Sequence, residues 1–468
     1  MSSAITAPTY DPINTATSLA QKTTGDAQQQ LTTQTNAANA AATALTQLGT
    51  AISGFQTSLG ALAGVGKSLL AQSATLSDSS IASATAQPTA AAGSYKVFVQ
   101  QVASAAQVTY DKVPDASTAN GTLTVTVGSA PPIAIPLAGA NTDGGTLSVR
   151  EIAAAINSAS GNTGLVAAGV ISVPQADGTT AMRLVLTSKL TGAANGINLA
   201  FSGAVDSNLQ SALGSPTTST AGQDAIIWLD AETTGTQVTQ ASNTFSNIDG
   251  VSLTVTRAQA HGDAPVTLTV GNDTAGTTKN VQAFVDAYNK LKTSIDKLLD
   301  PGNPASNQSA GAFANDSGIK ALQSRMVDLL RPSSGGLSLA VYGITAARDG
   351  TLTLDPLRLS KQLATNPTGL DHLMGSASIS SPSGVLGSLN TYLNQWSDAS
   401  KGQIQQRTGA NTKLKADLTR RQTSLNDKYD SAYQRYLKQF TDLQSLQATM
   451  NSNVSIFDAV FGNDKSSA

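Results

Sequence analysis

The sequence predicts a multidomain α+β chain, with terminal helices paired as an antiparallel coiled coil or helical bundle and β-rich domains inserted in the middle. Three observations predict it. Apolar residues stand three and four apart near both ends; in ALTQLGTAISGFQTSLGAL, residues 44–62, Leu45, Leu48, Ile52, Phe55, Leu59 and Leu62 form one stripe. From about residue 93 to 270 the rhythm changes to period-two alternation broken by Gly, Pro and Asn. The chain has 468 residues, 40% of them apolar, enough for about three cored domains.

Residues 1–30 are polar, broken by Pro8 and Pro12, and expected to be disordered alone. A helix is predicted over 31–62, about 48 Å long. Residues 44–62 carry no charge and contain Gly49, Gly54 and Gly60. Each mid-helix glycine costs up to ~1 kcal/mol relative to Ala, so this helix requires a partner. AGVGKSLL, residues 63–70, has the outline of a phosphate-binding loop. That motif needs Gly where Ala61 stands and a strand where the stripe stands, so it is read as a loop at a helix end.

Strands are predicted around Tyr95, Val97 and Val99, at GTLTVTVG (121–128) and at IAIPL (133–137). Ser148 and Glu151 form a capping box for a helix over 147–159. GLVAAGVISV (164–173) and MRLVLTS (182–188) make a hairpin about Asp177-Gly178. Strands follow at 225–230, 250–257 and 265–270. Helices return at 281–299, with Val281, Phe284, Tyr288, Leu291, Ile295 and Leu298 on one face, and at 318–330. A hairpin turns at Asp349-Gly350, and a helix follows Asp355-Pro356. The last helix runs from about Gln403 to Phe461. Its seam is Leu418, Leu425, Ala432, Gln439 and Leu446, with Tyr429, Tyr436, Leu443 and Met450 beside it, each set repeating at seven. Gly54, Gly60 and the polar Gln439 are the weak points of these seams.

The expected division is a terminal leg segment (1–40 and 430–468), disordered or coiled coil, a helical bundle (41–78 and 275–429) with a hairpin near 342–354, a β-rich domain (79–112 and 222–274) and an inserted outer α+β domain (113–221).

Charged residues make up 12% and the net charge is −2. The most basic run, Lys413, Lys415, Arg420 and Arg421, is interleaved with Asp417 and reads as a solvated helix face; nucleic acid is not an expected partner. The absence of cysteine excludes disulfides and Cys-ligated metals. MSSAITAPTYDPINTATSLAQK lacks the basic and apolar regions of a cleaved secretory signal, and no run reaches the length of a membrane span. The histidines, His261 and His372, have no metal-ligand spacing. Glu151 is explained by its cap, and Asp177, Asp273 and Asp349 by turns. No catalytic site and no cofactor are expected. Trp228 and Trp396 read as core packing, with subunit anchoring as the sharper alternative.

Several blocks carry a family resemblance. GSYKVFVQQVASAAQ (93–107), SVREIAAAIN (148–157) followed by RLVLTSKLTGAAN (183–195), ASNTFSNIDGVSLTV (241–255), VQAFVDAYNKL (281–291) and YGITAARDGTLTLD (342–355) resemble, in order and spacing, blocks of the flagellar hook-associated protein 2 family, the filament cap proteins. The match runs from about residue 31 to the C-terminus. The resemblance implies a ring of identical subunits at the distal filament tip, five in the best-known members, with helical legs built from both termini. It implies flagellin as a partner whose polymerisation is promoted and whose leakage is prevented. It further implies export through the flagellar type III apparatus without a cleaved signal, a chaperone on the C-terminal helix, and an extracellular location with no membrane insertion. The candidate assembly surfaces are Leu45, Leu48, Ile52 and Phe55 on the first stripe. On the last they are Leu425, Tyr429, Tyr436, Leu443, Leu446, Met450, Phe457 and Phe461. The alternatives are a hook–filament junction protein, or an adhesin whose β-rich domains bind mucin or host glycans.

Overall fold

A computed structural model describes residues 11–331 and 337–461, apart from the side chains of Thr218, Asp458 and Phe461. The Asp11 carboxylate accepts from the backbone N–H groups of Ile13 and Asn14, and Pro12 takes the first helical position. Helix α1 therefore runs Pro12–Ala63. Strands follow: β1 (Ala71–Leu76), β2 (Ala82–Ala86), β3 (Gly93–Gln101), β4 (Ala105–Tyr110), β5 (Thr122–Val127) and β6 (Ile133–Pro136). A short α2 (Leu137–Ala140) and α3 (Val149–Ser158) lead to β7 (Val166–Pro174), β8 (Thr180–Thr191) and β9 (Ile197–Ser202). After α4 (Ser207–Leu213) come β10 (Thr217–Thr220), β11 (Ala225–Leu229), β12 (Thr236–Gln240), β13 (Thr244–Phe245), β14 (Val251–Val255) and β15 (Val266–Asp273). The chain then returns to helices α5 (Thr274–Leu299) and α6 (Ser317–Leu329). A hairpin of β16 (Ile344–Ala346) and β17 (Leu352–Leu354) precedes α7 (Pro356–Thr365), α8 (Pro367–Met374), α9 (Gly384–Ser397) and α10 (Gln403–Phe461). Terminal helices with antiparallel sheets between them are the predicted α+β architecture.

The chain divides into a helical unit, residues 1–69 and 278–468, and a sheet unit, residues 70–277. In the sheet unit all strand pairs are antiparallel, in sheets ordered β1-β15-β3-β11-β12, β10-β4-β8-β7, β13-β14-β2 and β6-β5-β9. Alternation explains the burial: Leu123, Val125 and Val127 of β5 point inward, as do Val251, Leu253 and Val255 of β14. One core gathers around Val125, Leu147, Ile152 and Leu184, and another around Val97, Val99, Ile227 and Leu253. The capping box is present in full: Ser148 and Glu151 each bond the other's backbone N–H. The 164–188 hairpin forms with Gly178 at φ 81°. The sheet begins earlier than residue 93. AQSATL (β1) and ASATA (β2) have no apolar alternation, and their strand state comes from their partners β15 and β14.

In the helical unit the first stripe finds its neighbours. Leu48, Ile52 and Leu59 are fully buried. The Phe55 ring lies 6.4 Å from those of Phe284 and Tyr288 on α5, edge-on to the latter. Gln56 bonds Asn390 and Ser397 of α9. Antiparallel to α1 lies α10: Ile404 approaches Gly49, Asn411 bonds the Ala38 carbonyl, and Gln422 and Gln28 bond each other. Residues 1–30 are expected to be disordered alone; within this pairing their described part is ordered. From Pro12 onward this segment is helical, with Ala16, Ala20 and Thr24 buried on α1 and Thr23 bonded to Tyr436. Small side chains at these knobs let a polar helix pack on α10, so few large apolar residues were needed. Residues 1–10 lie outside the described residues.

Candidate assembly surfaces

The sequence-predicted surface residues fall into two groups. Leu45, Leu48, Ile52, Phe55 and Leu425 are all buried, covered by helices of their own unit. They form this chain's core in place of the partner surface expected of them, because α5, α9 and α10 cover the first four and α1 covers Leu425. Tyr429 and Tyr436 are half-buried along the α1–α10 pair. Tyr429 stacks on Tyr433, centroids 6.5 Å apart, and Arg435 sits 4.9 Å over the Tyr436 ring. Thr23 and then Arg435 hold the Tyr436 hydroxyl below its ordinary pKa.

Leu443 (41%), Leu446 (57%), Met450 (51%) and Phe457 (65%) are exposed, together with Val454 and Ile456. The Phe461 side chain lies outside the described residues. The α10 seam is buried only at Leu418, Leu425 and Ala432. Gln439 is itself exposed, so it does not interrupt a packed seam as expected. Thr23 reaches Tyr436, and the seam beyond Ala432 is exposed on the described helix.

At the opposite end, α10 is fixed by a cluster that the sequence reading passed over. Asp316 caps α6 through the Ile319 N–H and takes two bonds from Arg407, which lies 5.7 Å over Trp396. Arg407 is the main reason the Asp316 carboxyl sits below its usual range. A one-residue acid followed by a helical stripe was its only sequence signal. Trp396 is buried as expected, whereas Trp228 is partly exposed and donates to Gln100 at 2.7 Å. Lys292, buried, pairs with Asp296 at 2.6 Å. A further open feature is a groove of about 570 Å³ between α1 and α5, with Phe55 and Leu291 among its lining residues and Lys290 and Lys297 at its rim.

His261 bonds Glu232 at 3.0 Å on the sheet unit's surface, which raises the histidine pKa and lowers that of the glutamate. Among the described residues no group of three His, Asp or Glu side chains is placed to hold a metal, and no helix is long and apolar enough to cross a membrane.

The blocks at both ends and the helix–sheet–helix order are shared with known proteins. The family described as "Flagellar hook-associated protein 2 C-terminus" matches residues 222–452, and its N-terminal counterpart matches residues 10–106. The "Lateral flagellar hook-associated protein 2" of Vibrio parahaemolyticus is 34% identical over 395 residues, 82% of this chain and 85% of that protein. The chain belongs to the flagellar hook-associated protein 2 family. A second member, the "B-type flagellar hook-associated protein 2" of Pseudomonas aeruginosa, is 29% identical over 91% of each chain. The crystal structure of "the flagellar cap protein FliD D1-D2-D3 domains" from Escherichia coli superposes with a TM-score of 0.58 at 26% identity, covering 80% of this chain and 99% of that one. The family is structural rather than enzymatic, in keeping with a fold whose notable features are helical faces and sheets. The match to the N-terminal family segment ends at residue 106 and that to the C-terminal one begins at 222, so the core around Leu147 and Leu184 falls between them.

Proposed function

We propose that this member of the hook-associated protein 2 family caps the growing filament as a homo-oligomeric ring at the distal tip. There it promotes flagellin polymerisation and prevents exported flagellin from escaping. The observation that carries this reading is the pairing of the two chain ends into one antiparallel stalk whose α10 stripe continues, exposed, beyond Ala432. An amphipathic helix end of that kind suits engagement with helical subunits. The relative solved from Escherichia coli is titled a flagellar cap protein, which supports the same role. Export by the flagellar type III route, with a chaperone on the α10 end, belongs to this proposal; a cysteine-free chain suits transit unfolded. The sheet unit then serves as the outer plate.

Immunogold labelling of the protein on flagellated cells tests the reading. Gold at the distal tips, with flagellin lost to the medium when the chain is deleted, is the expected result. Gold at the filament base would instead make this a junction protein. Gold over the cell surface, with filaments still elongating in the deletion, would make it an adhesin.

A further inference from the structure

The chain holds two Asn-Gly pairs, Asn120-Gly121 and Asn195-Gly196, both in the sheet unit, and the cap reading uses neither. Asparagine is chemically the less durable for being followed by glycine. With no Cβ on that next residue, its backbone nitrogen can reach the asparagine Cγ.

The fold treats the two pairs differently. Asn195 is half-buried; its Nδ2 donates to the Thr191 carbonyl at 2.6 Å, and its backbone N–H donates to the Gly192 carbonyl at 3.1 Å. A Cβ on Gly128 would meet the Asn195 Oδ1 at 2.6 Å, so the other end of the amide is packed as well. Asn120 is exposed, and its side chain makes no hydrogen bond. Its neighbours are held in place. Ala119 packs on the core around Leu147 and Leu184. Gly121 has φ 81°, and a Cβ there would lie 2.6 Å from Val205 Cγ2 and 2.8 Å from the Ser202 carbonyl oxygen, so only glycine fits. The Gly121 carbonyl accepts from the Leu137 N–H at 3.0 Å, and Thr122 pairs with Pro136 of β6 and Ser202 of β9. The structure requires the glycine and leaves the asparagine before it in water.

We propose that Asn120-Gly121 is a site of spontaneous covalent modification in the folded protein, and that Asn195-Gly196 is shielded from it. The Gly121 backbone nitrogen attacks the Asn120 Cγ and an N–Cγ bond forms. The Gly121 amide proton passes through water to Nδ2, and the Cγ–Nδ2 bond breaks to release ammonia. Water then opens the cyclic imide at either carbonyl. One opening leaves an ordinary aspartyl link; the other routes the chain through the side chain and adds a backbone carbon. No oxidant, metal or enzyme takes part. Either product puts a negative charge where the chain was neutral. The isoaspartyl product also shifts Gly121 against Leu137, so the start of β5 loosens while Leu123 and Val125, buried further along, hold. The sheet unit thereby carries a mark of its age.

Ageing the purified full-length chain in mildly alkaline buffer, followed by tryptic mapping, tests this. Cleavage after Lys112 and Arg150 separates Asn120 from Asn195. Aspartate and isoaspartate should accumulate at position 120 about tenfold faster than at position 195, where a hydrogen bond must break first. In urea the two positions should convert at equal rates. Asn120→Ser has no side-chain amide to lose, and its 113–150 peptide should keep its mass. In the aged chain the Leu137 amide should lose exchange protection and the Val125 amide should keep it. Survival of Asn120 in the folded chain, conversion of Asn195 at the same rate, or an undiminished preference in urea would overturn the proposal. Unchanged Leu137 protection in the isoaspartyl chain would overturn the loosening of β5.

Discussion

Glu151 shows how a single side chain settles a helix start. Its carboxylate accepts from the Ser148 and Thr142 backbone N–H groups and from both hydroxyls, and these bonds lower its pKa from 4.5 to about 2. A carboxylate stabilised in the folded state supports folding fully above its unfolded pKa. That support is lost as pH falls from about 4.5 through about 2. The Glu151 carboxylate should titrate near pH 2 by carbon-detected NMR, and the amide protection at the start of α3 should fall over the same window. Glu151→Gln should remove that pH dependence; a midpoint near 4.5 would contradict the capping account. Phe55 is the corresponding apolar residue. It is 2% exposed and packs on two aromatic rings of α5, so Phe55→Ala should cost about 3–5 kcal/mol in urea unfolding of the helical unit. Both residues were legible in the sequence, Glu151 from its distance to Ser148 and Phe55 from its place in the stripe. Arg407 was not, since its partners Asp316 and Trp396 are distant or unremarkable in sequence.

Helix α1 is the element where local rules and context part. Its glycines weaken it, and a Cβ on Gly54 or Gly60 would meet nothing within 4 Å. Gly54→Ala and Gly60→Ala should therefore each stabilise the helix by up to ~1 kcal/mol. Differential scanning calorimetry would show a raised Tm for the helical unit, and a fall would point to contacts absent from this arrangement. The start of the same helix was misread. Pro12 looked like an interruption, whereas Asp11-Pro12 is a cap and first position of the kind that was recognised at Asp355-Pro356. What differed was the segment that follows: Leu357, Leu359 and Leu363 mark an amphipathic helix after Pro356, whereas in residues 13–30 Ile13 and Leu19 stand alone among small and polar side chains. Strands β1 and β2 were hidden for the same reason, because Ala, Ser and Thr carry little periodic signal.

At the scale of the whole molecule the decisive contact is between residues almost four hundred positions apart. Leu31 and Ala38 of α1 share a small core with Leu418 and Leu425 of α10. That core is thin, so Leu418→Asp with Leu425→Asp should release residues 12–38 while leaving 45–59 folded on α5 and α9. Hydrogen exchange should show protection lost in the first stretch and kept in the second; equal loss in both would mean that α1 unfolds as one unit. In the unaltered protein, amides 441–461 should exchange faster than those around Leu418 and Ala432, since the apolar stripe there is exposed.

By itself the sequence determined the terminal stripes, the alternating middle, the capping box and the order of blocks that places the chain in its family, because each is written in short-range spacing. Only the tertiary structure decided which stripe meets which. That pairing turned the polar residues after Asp11 into helix and converted Leu45 to Phe55 from a presumed surface into core. It also left Leu443 to Val454 exposed. Burial depends on which part of a helix its neighbours cover, and no spacing within α10 contains that.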